Sequence, residues 1–372
     1  MKAVAVFPQS RQIKVIDHPE PTIAMPMDVK IRAVNIGLCG TDREICSFHY
    51  GVPPTGSDHL VIGHEMLGEV IEVSDGVTDF VPGDLVVPMV RRPCPHDYCP
   101  ACRAGRQDFC YTGDFTERGI KSRHGFMGEF VVDEQDFFVP VPQALREVAV
   151  LVEPLTIAEK ALLQVGSIQQ RLPWTCPKMS AEMGIEHRCH NAVVLGAGPV
   201  GLLGAMALVA RGFRTFVYSR EAAPNHKADI CRMFGAEYIS STQHDLMALA
   251  AMVGNIDLVY EAVGASSLAF EVMKVLGANG VFIFTGVPGR KAPIEVDTDL
   301  IMRNMVLKNQ AICGTVNAGR DAFEGALADL EIFMQKWPDA VRALFTRRLA
   351  IDEAPASLVN GRGSIKDVVA YA

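Results

Sequence analysis

Hydrophobic positions fall into two regimes along the chain. From Met1 to about Val141, short β-branched runs alternate with Gly, Pro and Asp turn signals. Examples are Val29-Lys30-Ile31-Arg32-Ala33-Val34, Gly68-Glu69-Val70-Ile71-Glu72-Val73 and Asp84-Leu85-Val86-Val87. Such runs between turn residues read as strands, so this part is expected to be β-rich. Leu145 to Val165 then carries apolar residues at helical spacing, and Leu172 to His190 reads as a connector containing Pro, Cys and charge. From Asn191 the order becomes strand, glycine turn, helix, strand: Ala192–Leu195, Gly196 to Gly201, an apolar helix to Arg211, then Thr215–Tyr218. Ile230 to Phe234 reads as helix, Asp257–Tyr260 and Val281–Phe284 as strands, and Ala322 to Lys336 as helix. Repeated βαβ units predict a parallel sheet. The class expected is α/β, with a β-rich domain beside a doubly wound one.

Length supports two domains, because 372 residues exceed the ~250–300 at which a single core stops growing. With 49% hydrophobic and 21% charged residues, the chain is an ordinary folded one, neither disordered nor fibrous. Its net charge of −8 argues against nucleic acid or an anionic membrane surface as the main partner. No stretch of ~18 apolar residues occurs and the first residues carry no h-region, so a cytoplasmic location is expected.

The glycine turn has the context of a dinucleotide site. Gly196-Ala197-Gly198-Pro199-Val200-Gly201 follows an apolar strand and opens a helix. Gly196 can make the turn, Gly198 can admit a pyrophosphate and Gly201 can let the helix pack on the strand. At the end of the second strand, where an NAD site places an acidic residue, stand Ser219 and Arg220, followed by Glu221. A hydroxyl and a guanidinium suit a 2′-phosphate, which favours NADP, while Glu221 leaves NAD open.

Ten cysteines in a chain of this size point to metal binding or reduced thiols rather than a disulfide scaffold. Cys94, Cys99, Cys102 and Cys110 share one short loop with spacings x4, x2 and x7, a set able to close a tetrahedral structural zinc site. Residues 91–110 carry four Arg against two Asp and no second CxxC pair, which disfavours a nucleic-acid-gripping ribbon. Cys39, the adjacent His64-Glu65 and Glu153 come from three distant segments, and spacing alone does not decide between a catalytic zinc with an open position and unrelated residues.

Taken in order, Gly37-Leu38-Cys39-Gly40-Thr41-Asp42, Gly63-His64-Glu65-Met66-Leu67-Gly68, the four-cysteine loop, Glu153-Pro154 and the glycine fingerprint resemble the zinc-dependent medium-chain alcohol dehydrogenase superfamily over essentially the whole chain. Asp58 to Glu65, Phe115 to Ile120 before His124-Gly125-Phe126-Met127, Glu153-Pro154-Leu155 and Gly314-Thr315-Val316-Asn317 are most similar to its glucose dehydrogenase branch, known best from archaea.

The resemblance implies a GroES-like catalytic domain at 1–155 and 316–372 and a Rossmann domain at 156–315. It implies catalytic zinc on Cys39, His64 and Glu153, with Glu65 coordinating directly or through water, and structural zinc on Cys94, Cys99, Cys102 and Cys110. Thr41, Glu117, Glu153 and Asn317 would contact sugar hydroxyls. NADP or NAD would lie against Gly196, Gly198, Pro199, Val200, Gly201, Ser219, Arg220, Thr285, Gly286, Val287, Thr315 and Asn317. The implied reaction is oxidation of an aldose at C1 to the 1,5-lactone, with a homodimer or homotetramer as the assembly.

Two departures bear on this. Cys94 and Cys99 are separated by four residues where the family usually has two, which makes His96 a conceivable substitute ligand, and Val90 stands where some members place a sugar-binding Asn. A polyol or secondary-alcohol dehydrogenase of the same superfamily is the alternative enzyme. A non-catalytic zinc protein with a nucleotide-sensing Rossmann domain is the alternative of a different class.

Overall fold

The computed structural model describes residues 1–173, 189–289, 293–361 and 363–371. Most of the connector expected between Leu172 and His190 lies outside them. The chain divides into two compact units, one of Met1–Thr156, Asn317–Leu330 and Leu344–Ala372, the other of Ile157–Val316 and Glu331–Ala343.

The first unit is β-rich, as its alternating runs predict. Its largest sheet runs Phe138–Val141, Leu85–Pro88, Glu65–Val73, Asp28–Gly37, Lys366–Ala370 and Phe345–Leu349, with Phe130–Glu134 also pairing on Asp28–Gly37. The strand Asp28–Gly37 is buried along most of its length, because Glu65–Val73, Phe130–Glu134 and Lys366–Ala370 all pair with it. Val4, Ile31, Met66, Phe126 and Phe138 lie in the core of this unit. One end of the sheet gathers three chain segments. Gly37 pairs directly with Glu65 on one side and Val368 on the other, and the Leu38 N–H donates to the Asp367 carbonyl. Cys39, Glu65 and Lys366 are therefore brought to one place by strand register.

The second unit is a doubly wound six-stranded sheet, all parallel, in the order Glu237–Ser240, Arg214–Ser219, Asn191–Leu195, Leu258–Glu261, Val281–Phe284 and Ala311–Gly314. In chain order this is 3-2-1-4-5-6, the arrangement that opens a crevice at the carboxyl ends of the first and fourth strands. Val193, Leu195, Phe216, Val259 and Phe282 are buried within it, as expected of strands covered on both faces. The free thiols include Cys39, Cys46, Cys231 and Cys313; Cys189, against the expectation of reduced cysteines, is disulfide-bonded.

Candidate active site

Cys39 ends the turn after the central strand and occupies the N-cap position of the helix Gly40–Cys46. Its N–H donates to Asp42 Oδ2 at 2.9 Å, so the helix start is fixed by the third residue's carboxylate rather than by Thr41. Thr41 lies half-buried in the first turn. The other Asp42 oxygen, Oδ1, accepts the Gly63 N–H at 3.3 Å and lies 3.3 Å from His64 Nδ1. One fully buried carboxylate thus ties the Cys39 segment to the His64 segment. Nδ1 faces this carboxylate and makes no hydrogen bond among the described residues, an arrangement that favours Nε2 as the metal-binding nitrogen. Burial works against the charge of both groups. It is outweighed by their mutual attraction, which holds the Asp42 carboxyl below and raises the His64 imidazole well above its ordinary value.

Glu65 is 1% exposed and its Oε2 lies 2.5 Å from the ammonium of Lys366, itself wholly buried. Lys366 Nζ also donates to the Leu38 carbonyl at 3.4 Å. Burial opposes the lysine's charge, but Glu65 and Cys39 more than restore it. Gly37 is required here, because a Cβ at that position would stand 2.1 Å from Glu65 Oε2.

Donor atoms of Cys39, His64 and Glu65 all lie within 4.8 Å of one another. A thiolate, an imidazole and a carboxylate at that separation fit zinc, with a position left for water or substrate. Glu153, in the first turn of the helix Val152–Gln169, is 8% exposed and outside this close set. Burial pushes its carboxyl up to about 7, the charge of His64 opposing and that of Glu65 reinforcing the shift. It stands within electrostatic reach of the cluster as a group able to exchange a proton near neutrality.

Cys94, Cys99, Cys102 and Cys110 form the other close set, again within 4.8 Å. The longer first spacing is absorbed by the Cys94–Cys99 loop, and the turns Pro100–Arg103 and Gln107–Phe109 return the chain to Cys110. His96 points elsewhere, its Nε2 lying 2.5 Å from Asp114 Oδ2. Four thiols with no fifth donor fit a closed structural zinc. Val90 is buried in the apolar core of the first unit. Glu117, on Thr116–Arg118, is 6% exposed and bonded to Arg91 and to Asn317, whose Nδ2 donates to its Oε1 at 3.1 Å.

In the second unit Gly196 has a φ of +100°, and a Cβ on Gly201 would stand 2.1 Å from the Gly196 carbonyl oxygen. A Cβ on Gly198 would meet nothing within 4 Å. The space beside Gly198 is the cradle a pyrophosphate requires, at the start of the helix Pro199–Ala210. Ser219 closes its strand, and Arg220 beyond it is exposed without an ion pair among the described residues. Glu221 is occupied by Lys227 at 2.5 Å. Across the crevice, the buried Glu261 carboxylate accepts from the N–H groups of Val263, Gly264 and Gly286 at 2.8, 2.7 and 3.2 Å. It thereby shapes the loop holding Thr285, Gly286 and the exposed Val287. The Thr315 hydroxyl is buried without a hydrogen-bond partner, an orphaned polar atom that a nicotinamide amide would satisfy.

Residues 146–371 match the family described as "Glucose dehydrogenase C-terminus", and residues 25–143 match "Alcohol dehydrogenase GroES-like domain". The chain belongs to the glucose dehydrogenase branch of the zinc-dependent medium-chain alcohol dehydrogenases. Glucose 1-dehydrogenase of Methanocella arvoryzae is 36% identical, with 99% of each chain covered. That of Thermoproteus tenax is 35% identical, again with 99% of each chain covered. Among solved structures, Haloferax mediterranei glucose dehydrogenase in complex with NADP, Zn and gluconolactone superposes with a TM-score of 0.88 at 31% identity, covering 100% of this chain and 99% of that one.

Within this glucose dehydrogenase-family site, sequence reasoning names Cys39, His64 and Glu65 but misses Asp42, Arg91, Lys366 and Glu261. Asp42 stood inside a quoted motif. Lys366 carried a weak signal, as a cation at the start of the apolar run Val368–Val369.

Proposed function

We propose that the chain oxidises an aldose, D-glucose first, at C1 to the 1,5-lactone, passing hydride to NADP or NAD. The observation that carries the substrate class is the buried Glu117 bonded to Asn317 in the same unit as the Cys39–His64–Glu65 cluster. A polyhydroxy substrate sheds many water hydrogen bonds on entry, and a pocket offering fixed acceptors and amide donors replaces them.

Zinc, when bound, supplies the Lewis acidity that brings a hydroxyl near alkoxide, and the nicotinamide supplies the hydride acceptor. The chain's own residues do the rest. Cys39, His64 and Glu153 would hold the metal, with Glu65 beside them directly or through water, and Asp42 would orient the imidazole. The hydroxyl proton leaves through Thr41 Oγ1 or through water beside Glu65 or Glu153. Glu117 and Asn317 orient the remaining hydroxyls. Gly196, Gly198, Pro199, Val200 and Gly201 would receive the pyrophosphate, Ser219 and Arg220 the 2′-phosphate, and Thr285, Gly286, Val287 and Thr315 would border the nicotinamide. With Glu221 tied to Lys227, NADP is the preferred form.

The chain works as a homo-oligomer, dimer or tetramer, in the cytoplasm. Met302, Val306 and Leu307 project 64%, 70% and 66% exposed from the helix Thr298–Leu307, next in sequence to the sheet's edge strand Ala311–Gly314, an apolar surface suited to a second copy. Among the described residues, no helix is long and apolar enough to cross a membrane. Replacing Cys39 or His64 by Ala is expected to abolish zinc-dependent turnover with the fold retained by circular dichroism; a zinc-free variant that keeps its activity contradicts the mechanism.

A further inference from the structure

Arg91 and Glu117 stand directly opposite each other on paired antiparallel strands, 5% and 6% exposed. An arginine and a carboxylate so placed commonly form a two-oxygen fork. Here they do not. Arg91 Nε and Nη2 both donate to Oε1 of Glu117, at 3.0 and 2.9 Å. Asn317 Nδ2 donates to the same oxygen at 3.1 Å. Oε2 receives no hydrogen bond among the described residues.

The guanidinium that makes this one-sided grip is itself fixed by two further contacts. Its Nη1 donates to the Asp108 carbonyl at 3.3 Å, and its plane lies 3.7 Å from the centre of the Phe115 ring. Asn317 is equally committed, because its backbone is left-handed at a φ of +59° and its Oδ1 accepts the Ala318 N–H at 2.9 Å. Glu117 is thus held with one oxygen saturated and one left as an acceptor. Tyr50, a half-exposed phenol, is raised by its partial burial and by the charge of Glu117. Glu117 and the Cys39–His64–Glu65 cluster belong to the same compact unit.

We propose that Arg91 is a positioning residue for sugar selectivity: by taking Oε1 with Asn317 it presents Glu117 Oε2 to one hydroxyl of the aldose. The proposal rests on the aldose reading above and names how that reading discriminates. A fixed single acceptor penalises the analogue lacking its hydroxyl much more than analogues altered elsewhere, since an oxygen closed off from water by the bound sugar is then left unpaired.

The test is a comparison of kcat and KM for glucose and its 2-, 3-, 4- and 6-deoxy analogues in the zinc-loaded wild type and in Arg91→Lys, with NADP KM and zinc content measured alongside. Wild type is expected to discriminate against one deoxy position by at least about tenfold more than against the others. Arg91→Lys, which loses the planar fork, is expected to raise glucose KM and collapse that one penalty, leaving the other analogues, NADP KM and zinc content near wild type. Glu117→Gln is expected to reproduce the pattern. If Arg91→Lys does not fold, Arg91→Gln, which keeps a neutral donor opposite Glu117 without the two-nitrogen grip on Oε1, makes the same measurement. A uniform rise in KM for every analogue, or an unchanged deoxy profile, overturns the positioning role. Wild type that turns over no aldose overturns the underlying reading instead.

Discussion

Asp42 Oδ1 lies 3.3 Å from His64 Nδ1, and its other oxygen caps the N–H of Cys39 at 2.9 Å. A single buried carboxylate therefore sets both the register of the thiol and the orientation of the imidazole. Outer partners of this kind typically contribute 10–100-fold in metal affinity. Asp42→Asn is expected to weaken zinc retention at the catalytic cluster by about that factor, read by competition with a chromophoric chelator, while zinc on the four-cysteine set stays put. Equal retention of both metals would show that Asp42 serves only the backbone.

The Lys366–Glu65 pair is buried to 0% and 1%, where removing one partner strands the other's charge. Lys366→Met is expected to cost about 3–5 kcal/mol in urea unfolding, and the double variant Lys366→Met/Glu65→Gln to recover much of it. Additive losses would contradict the pairing.

His124 packs against His18 and His59, with ring centres 4.9 and 5.1 Å away, and its Nδ1 accepts the Val61 N–H at 3.1 Å. Burial first, then the charges of His18, His59 and Arg118, lower its pKa to about 4. The unfolded chain takes up this proton near pH ~6.5 and the folded chain only near 4, so the unfolded state binds more protons between those values. Stability is accordingly full above pH ~6.5 and falls as the pH drops towards 4, by on the order of 1–2 kcal/mol after allowance for solvent screening. His124→Asn keeps an acceptor for Val61 without the titration, and its unfolding midpoint is expected to fall less steeply over this window. Identical slopes contradict the assignment.

Arg220→Ala is expected to raise the NADP dissociation constant by about 10–100-fold and leave NAD within about twofold, because a guanidinium–phosphate contact is lost for one cofactor only. Gly198→Val, which fills the space beside the turn, is expected to weaken both alike. Protein fluorescence titration reads both, and a loss shared equally by NADP and NAD in Arg220→Ala removes that residue from the 2′-phosphate site.

The strands and βαβ units were legible because their apolar runs are local: Ala192–Leu195 and Thr215–Tyr218 are buried on both faces, and their sequence says so. Cys39, His64 and the four loop cysteines were legible through residue type and motif order. The charged network that holds them was not. Lys366 meets Glu65 across 301 positions and Asn317 meets Glu117 across 200, and no periodicity encodes a partner so distant. Glu153 is expected as a zinc ligand and Glu65 as direct or water-mediated; the donors of Cys39, His64 and Glu65 lie within 4.8 Å of one another and Glu153 interacts with His64 and Glu65 from the neighbouring helix. Helix entry and strand register, which decide that arrangement, are tertiary quantities.

The most direct measurement is the appearance of reduced cofactor when zinc-replete protein is mixed with NADP, then NAD, and glucose, galactose, xylose, sorbitol, threonine or a simple secondary alcohol. The account predicts that an aldose reacts fastest, with NADP ahead of NAD and one lactone formed per cofactor reduced. Reduction with only sorbitol, threonine or the secondary alcohol would contradict it.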